Sequence, residues 1–326
     1  MPENDQNEII QELASPERVV ETVAVPVVNP PASVNTEDED RTIADALGVQ
    51  TVVLDLETDH EGTSVYLKGW VVPNQDTTPI VIVHDLAEQS ALYRTAAKYF
   101  TEGGRSVYCF DLRGHGRSGR MLGYIKKFSN LVSDLLQVAA WVKHKSGGKP
   151  PIILGHGIGA VVATQFCVQH GNFCESLILS APSFQMKQTV PKPKRMIIGI
   201  LAEWFPKMRL SQALVPKLHS SLDYGEGSLI HAIKPDLVVA LTAIFANELL
   251  NSQDGIARYF LKLKHRTLVL LPEKEQLNDY SVINRLLERQ KNPELFELKK
   301  VDSNHNLLTE DEEIVQLVVK EILEWL

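Results

Sequence analysis

From Thr51 onward the chain alternates between short apolar runs and longer amphipathic stretches. Ile80–His84, Val107–Phe110, Ile152–Leu154, Leu177–Ser180, Thr267–Leu271 and Leu295–Lys299 are short and nearly continuous in their apolar character, as expected of strands covered on both faces. Val52–Leu56 and Ser64–Val72 read as an antiparallel pair placed before them. Helical spacing fills the gaps, over Ala91–Glu102, Phe128–Lys145, Ile158–His170, Ser281–Gln290 and Glu312–Trp325. In Leu131–Val142 the apolar positions recur three and four apart, so that helix packs one stripe against a sheet. Strands alternating with helices predict an α/β fold: a mostly parallel, eight-stranded sheet with helices on both faces. Sites in such sheets lie at the carboxyl ends of the strands.

One stretch breaks the rhythm. Residues 185–264 carry helical segments and no convincing strand, and they separate the sixth strand from the seventh. This is the pattern of a helical cap inserted over the strand ends, and it leaves 49–326 as one domain. Composition adds a second division. Residues 1–41 hold ten carboxylates and two arginines, a net of −8 that equals the charge of the whole chain, so the remainder is balanced. Residues 1–48 are therefore expected to be a disordered acidic tail, with a short helix at Asn7–Leu13. Solubility is its plain role and partner binding the sharper one. With no net basic domain, nucleic-acid binding has no support. No run approaches the roughly 18 apolar residues of a membrane span, and the N-terminus lacks a leader pattern. Cys109, Cys167 and Cys174 lie on core segments and read as packing residues. A cytoplasmic protein without cofactor or metal is expected.

The candidate chemistry sits at strand ends. In Ile152-Ile153-Leu154-Gly155-His156-Gly157-Ile158-Gly159-Ala160 an apolar strand runs into a Gly-flanked turn that opens a helix. That is the layout of the nucleophile elbow, G-x-S-x-G, which holds a Ser on a strained turn with its hydroxyl exposed. Here the central residue is Gly157. It has no atom with which to attack, and glycine also adopts strained dihedrals with little penalty.

Four blocks resemble the monoacylglycerol lipase and lysophospholipase group of α/β hydrolases, related to the serine aminopeptidases. His84-Asp85-Leu86-Ala87-Glu88-Gln89-Ser90 is similar to that group's oxyanion loop, H-G-x-x-E-H-S. Asp111-Leu112-Arg113-Gly114-His115-Gly116-Arg117-Ser118 matches its D-x-R-G-H-G-x-S turn, and Gly155–Ala160 matches G-H-S-M-G-G except at the nucleophile. Ser303-Asn304-His305-Asn306-Leu307-Leu308-Thr309-Glu310 resembles its catalytic-histidine loop. The resemblance implies the α/β-hydrolase fold, His305 as the base and Glu275 of Pro272-Glu273-Lys274-Glu275 as its orienting carboxylate. Asp279 is a weaker orienter, and Asp302 is too close along the chain. The oxyanion donors would be the backbone N–H groups of Leu86 and Ile158. Asp85 occupies the usual glycine of that loop, where a carboxylate would repel a developing oxyanion.

These departures imply a catalytically impaired member that binds an acyl or lipid-like ligand or a protein partner, with Asp85, His156, Trp204 and Phe205 as substrate-facing candidates. Two alternatives stand beside it. One is an active carboxylic-ester hydrolase using Asp85 as an unusual nucleophile or His305 to activate water. The other is an interaction protein working through its acidic tail. In the cap, Lys187, Lys192, Lys194, Arg195, Lys207, Arg209 and Lys217 flank the apolar run Met196–Phe205. Peripheral contact with an anionic membrane is one reading of that pattern; a cap helix packed on the body with solvated lysines is the other. On the sequence alone, Gly157→Ser is the change expected to test whether the remaining machinery survives.

Overall fold

The structure is a computed structural model, and it describes residues 19–20, 50–57, 63–73, 76–119, 121–211, 214–215, 238, 240–309 and 311–326. Among the described residues the nine strands are β1 (Val19–Val20), β2 (Gln50–Glu57), β3 (Ser64–Val71), β4 (Ile80–Val83), β5 (Val107–Phe110), β6 (Ile152–His156), β7 (Leu177–Ser180), β8 (Thr267–Pro272) and β9 (Phe296–Val301). They form one sheet in the order β1-β2-β3-β5-β4-β6-β7-β8-β9. The pairs β1–β2, β2–β3 and β3–β5 are antiparallel, and all pairs from β5 to β9 are parallel. This is the eight-stranded sheet expected from the sequence, with a two-residue strand added at one edge. Apart from Val19–Val20, the expected acidic tail lies outside the described residues, as does the helix at Asn7–Leu13.

The pleat explains why the central strands are apolar throughout. Alternate side chains point to opposite faces, and each face of this sheet is covered. Ile80, Ile82, Val107, Cys109, Ile152 and Leu154 join the core beneath α1 (Arg94–Glu102) and α7 (Glu312–Trp325). Val81, Val83, Tyr108, Phe110, Ile153 and Leu179 join the other, beneath α2 (Phe128–Lys145) and α3 (Ile158–Gln169). Helix α2 buries Leu131, Val132, Leu135, Val138, Ala139 and Val142, the stripe legible in the sequence. Strand β9 is the exception: as an edge strand it leaves Glu297, Leu298 and Lys300 exposed.

Within 185–264 the described helices are α4 (Lys192–Trp204) and α5 (Ala243–Phe260), which pack on each other; residues 216–237 lie outside the described set. Helix α6 (Ser281–Glu288) follows β8. No helix among the described residues is long and apolar enough to cross a membrane.

The turn after β5 locks the strand ends together. Asp111 accepts the backbone N–H groups of Ser90 (2.7 Å) and Arg117 (2.8 Å), while Arg113 clasps the buried Asp134 through two nitrogens at 2.6 and 2.9 Å. The N–H of Leu112 donates to His84 Nε2 at 2.8 Å, so the other nitrogen, Nδ1, donates to the carbonyl of Asp85 at 2.6 Å. Burial holds His84 down to about 4, consistent with this neutral tautomer. The backbone of Asp85 is thus fixed by a histidine wedged between two loops.

Candidate active site

Gly157 joins β6 to α3 with φ 53° and ψ −117°, in the left-handed half of backbone space that disfavours any residue with a Cβ. Its N–H donates to the Ser180 carbonyl at 3.0 Å, and its own carbonyl accepts from Ser183 at 3.0 Å. Two residues on, Gly159 lets the helix press against β4: a Cβ there would stand 2.0 Å from the Val83 carbonyl oxygen. The turn therefore has the shape of the elbow.

What fills it is Asp85. A Cβ built on Gly157 would stand 2.0 Å from the Asp85 carboxyl carbon and from Oδ1. That is far inside van der Waals contact, so Asp85 in this position requires glycine at 157. Asp85 Oδ1 accepts the N–H of Ile158 at 2.5 Å, and Oδ2 lies 3.0 Å from His305 Nε2. On the far side, His305 Nδ1 lies 2.8 Å from Glu275 Oε2. The result is one line of side chains, Asp85–His305–Glu275, with all three residues at most 8% exposed.

Glu275 is held by the N–H of Leu277 (2.6 Å) and by the hydroxyl of Tyr280 (2.5 Å), with Asn278 Nδ2 at 3.4 Å. Its pKa falls to about 2: burial opposes ionisation, but the hydrogen bond and charge of His305 and the bond from Tyr280 outweigh it. For His305 burial again disfavours the charge, yet the hydrogen bonds and charges of Asp85 and Glu275 prevail and raise it to about 10. Asp85 is likewise held below the usual carboxylate range despite burial, by His305 first and then by His156 and Ile158. At neutral pH the line is an imidazolium clamped between two carboxylates. Proton NMR of the His305 ring should show it protonated through pH 8 and titrating near 10. In Asp85→Asn the same resonance should titrate at least about one unit lower; an unchanged midpoint would remove Asp85 from the clamp.

Further residues complete the setting. Glu88 accepts the N–H of Asp85 (3.1 Å) and the hydroxyl of Tyr93 (2.5 Å), and burial followed by the charge of Asp85 lifts it to about 7. His156 is fully buried, tilted 39° to the His305 ring at a centroid distance of 5.2 Å, with Nδ1 3.0 Å from Ser180 Oγ. Leu86 follows Asp85 and is 7% exposed. The structure does not bring Trp204 and Phe205 here: they stand 72% and 61% exposed at the end of α4, which turns Ile198 and Ala202 inward instead. Asp279 caps the N–H of Ser281, and Asp302 pairs with Lys274 at the surface, so neither orients His305. In the sequence Glu88 stands out only as a motif letter, and Tyr93, Asn278 and Tyr280 do not stand out at all. Their signal is faint, because each acts through a contact made only after folding.

A mostly parallel sheet wrapped by helices, with an elbow at the end of β6 and a histidine loop after β9, defines an α/β hydrolase. The family described as serine aminopeptidase, S33, matches residues 75–312, and this chain belongs to it. Among similar proteins, the monoglyceride lipase homolog of Monkeypox virus is 23% identical over 80% of this chain and 94% of its own length. The monoacylglycerol lipase of Mycolicibacterium smegmatis is 22% identical over 81% and 93%. Among solved structures, the monoacylglycerol lipase of Paleococcus ferrophilus superposes with a TM-score of 0.64 at 20% identity, covering 80% of this chain and 97% of that one. A soluble variant of the Saccharomyces cerevisiae monoglyceride lipase gives 0.65 at 17%, covering 85% and 93%. At these identities the superpositions speak for the fold.

Proposed function

We propose that this chain is a pseudo-hydrolase: an α/β hydrolase whose ester-cleaving centre is filled by its own Asp85, leaving the fold to bind an acyl or lipid-like ligand. The observation that carries this reading is the 2.0 Å between a Cβ at position 157 and the Asp85 carboxyl carbon. In a working serine hydrolase the Ser oxygen attacks an acyl carbonyl, the His takes its proton and backbone N–H groups hold the oxyanion. Here Asp85 places one oxygen on the Ile158 N–H and the other against His305. Those are the two contacts that the carboxylate of a cleaved acyl chain would make, so the site imitates its own product-bound state.

The same geometry counts against the unusual-nucleophile alternative. Asp85 does reach His305, but an imidazole that keeps its proton to about 10 is a poor acceptor at neutral pH. A substrate carbonyl also finds the Ile158 N–H already taken. The choice of ligand rests on the names of the similar proteins, which are lipases, and on a groove of about 500 Å³ between the 184–190 segment and α5. Phe184, Val190, Leu250 and Ile256 supply its apolar wall, and its polar positions include Gln253, Arg285 and the ion-paired Arg195 and Asp254. This volume is within the range of small-molecule sites.

The exposed Met196, Ile200 and Trp204, on a helix that begins Lys192-Pro193-Lys194-Arg195, and Phe205 just after it support peripheral membrane contact through the cap. A cytoplasmic location facing an anionic membrane fits that reading. The decisive measurement is the pure wild-type protein with p-nitrophenyl esters and a fluorophosphonate probe. No turnover and no labelling are expected. Turnover abolished by His305→Ala would overturn the proposal and revive the enzyme.

A further inference from the structure

We infer that Asp85, His156 and His305 form a binding site for a single divalent transition-metal ion, with Zn²⁺ as the natural occupant. One carboxylate oxygen and one nitrogen from each ring lie within 4.8 Å of one another, and all three residues are buried. Two imidazoles and a carboxylate are the donor set of three-ligand zinc sites that keep a fourth position open.

The outer contacts orient each donor. His305 uses Nδ1 on Glu275 and His156 uses Nδ1 on Ser180 Oγ, so both rings offer Nε2. A carboxylate on the far nitrogen, as Glu275 supplies to His305, is a usual support of a metal-ligating histidine. Asp85 is fixed through Oδ1 by the N–H of Ile158, which leaves Oδ2 as its donor. The observation pointing most directly to a ligand is His156 Nε2, which is wholly buried and has no hydrogen-bond partner. Buried polar atoms are nearly always satisfied, and here the missing partner falls beside two further donors.

Charge points the same way. Asp85 and Glu275 bring two carboxylates into a buried space on either side of His305. A divalent cation bound to Nε2, with Nδ1 donating to Glu275, places positive charge between those two carboxylates. Ligands of a tetrahedral zinc stand roughly 3.3 Å apart for metal–ligand bonds of about 2.0–2.1 Å. The three donor atoms, within 4.8 Å of one another, have to draw together to reach that spacing.

Cys167, Cys174 and His265 form a second cluster of donors, in which the two sulfurs are 2.8 Å apart. It serves as the internal control. Full-length protein stripped with a chelator would be titrated with Zn²⁺ calorimetrically, and with Co²⁺ by visible absorption, near pH 8. One equivalent of metal is expected, with a d–d spectrum of low-symmetry coordination. Glu275→Gln should weaken binding roughly 10–100-fold through the lost outer contact. Asp85→Asn and His156→Gln should abolish the spectrum, while Cys174→Ser leaves affinity unchanged. Should His156→Gln fail to fold, the near-isosteric Asp85→Asn is sufficient by itself to decide between the outcomes. Absence of binding at millimolar metal overturns the inference. So does affinity indifferent to Asp85→Asn, or affinity lost in Cys174→Ser. None of these readouts depends on ester hydrolysis, so the metal site and the loss of serine-hydrolase chemistry stand or fall separately.

Discussion

Gly157→Ser alone is expected to give no esterase activity and a less stable protein, whereas Gly157→Ser combined with Asp85→Gly is expected to hydrolyse p-nitrophenyl esters. The single change places a Cβ 2.0 Å from the carboxyl carbon of Asp85. One of the two side chains must leave. If Asp85 moves, its carboxylate abandons both the Ile158 N–H and His305 inside a buried space. Overpacking of this kind costs about 1–3 kcal/mol, and an L residue in the turn adds strain of order 1–3 kcal/mol. A loss of roughly 3 kcal/mol in urea unfolding is therefore expected of the single variant. The double variant removes the obstruction, frees the Ile158 N–H and leaves His305 oriented by Glu275 at 2.8 Å. A serine nucleophile is worth about 10⁶ in rate in a subtilisin-type enzyme, so recovery of even a small part predicts a gain of at least about 10³-fold over wild type. Fluorophosphonate labelling of the double variant alone would agree. Activity in the single variant would show that Asp85 yields easily and does not block the site. A folded but inert double variant would show that the His305–Glu275 pair has lost competence as well.

That contrast marks the boundary of what the sequence makes legible. The central strands announce themselves because both pleat faces are covered, so Ile80–Val83 and Ile152–Leu154 read as unbroken apolar runs. Helix α2 is legible to its ends because its stripe has one face to bury. Strand β9 runs two residues beyond its expected C-terminal end, since an edge strand with Glu297, Leu298 and Lys300 in solvent carries no such pattern. Each member of the buried line sits in a recognisable block, because a loop's position relative to strands is a property of chain order. The relation between members is not legible. That a carboxylate 72 positions before Gly157 lies where a Ser side chain would stand depends on a side-chain direction, which no spacing records. From sequence, Asp85 is an obstruction to the oxyanion and Gly157 a simple loss. In the structure Asp85 fills the space that Gly157 leaves open, and restoring only the serine is no longer the informative experiment. The cap fails in the opposite sense: Trp204 and Phe205 look like pocket residues, yet α4 buries Ile198 and Ala202.

The clamp around His305 predicts a stability effect that an ordinary hydrolase would not show. Removing the imidazole in His305→Ala leaves Asp85 and Glu275 buried with no cation between them. Breaking a buried ion pair from one side typically costs about 3–5 kcal/mol, and a loss of that size is expected in urea unfolding near pH 7. The pH dependence identifies the cause. A histidine raised from 6.5 to about 10 contributes stability that is fully present below 6.5 and disappears as pH climbs through 10. Glu275, lowered from 4.5 to about 2, contributes stability present above 4.5 and lost as pH falls through 2. Their joint contribution is therefore greatest between about 4.5 and 6.5. Wild type minus His305→Ala, measured across pH, should be largest in that window. It should shrink toward pH 10 as the wild-type imidazole gives up its charge, and shrink again toward pH 2 as the carboxylates of the variant gain protons. Adding Asp85→Asn to His305→Ala should recover part of the loss near neutrality, since the second change removes one of the stranded charges. A His305→Ala difference that stays flat across pH would mean the ring acts there as packing alone, and the argument that Asp85 is held in the elbow by charge would fail with it.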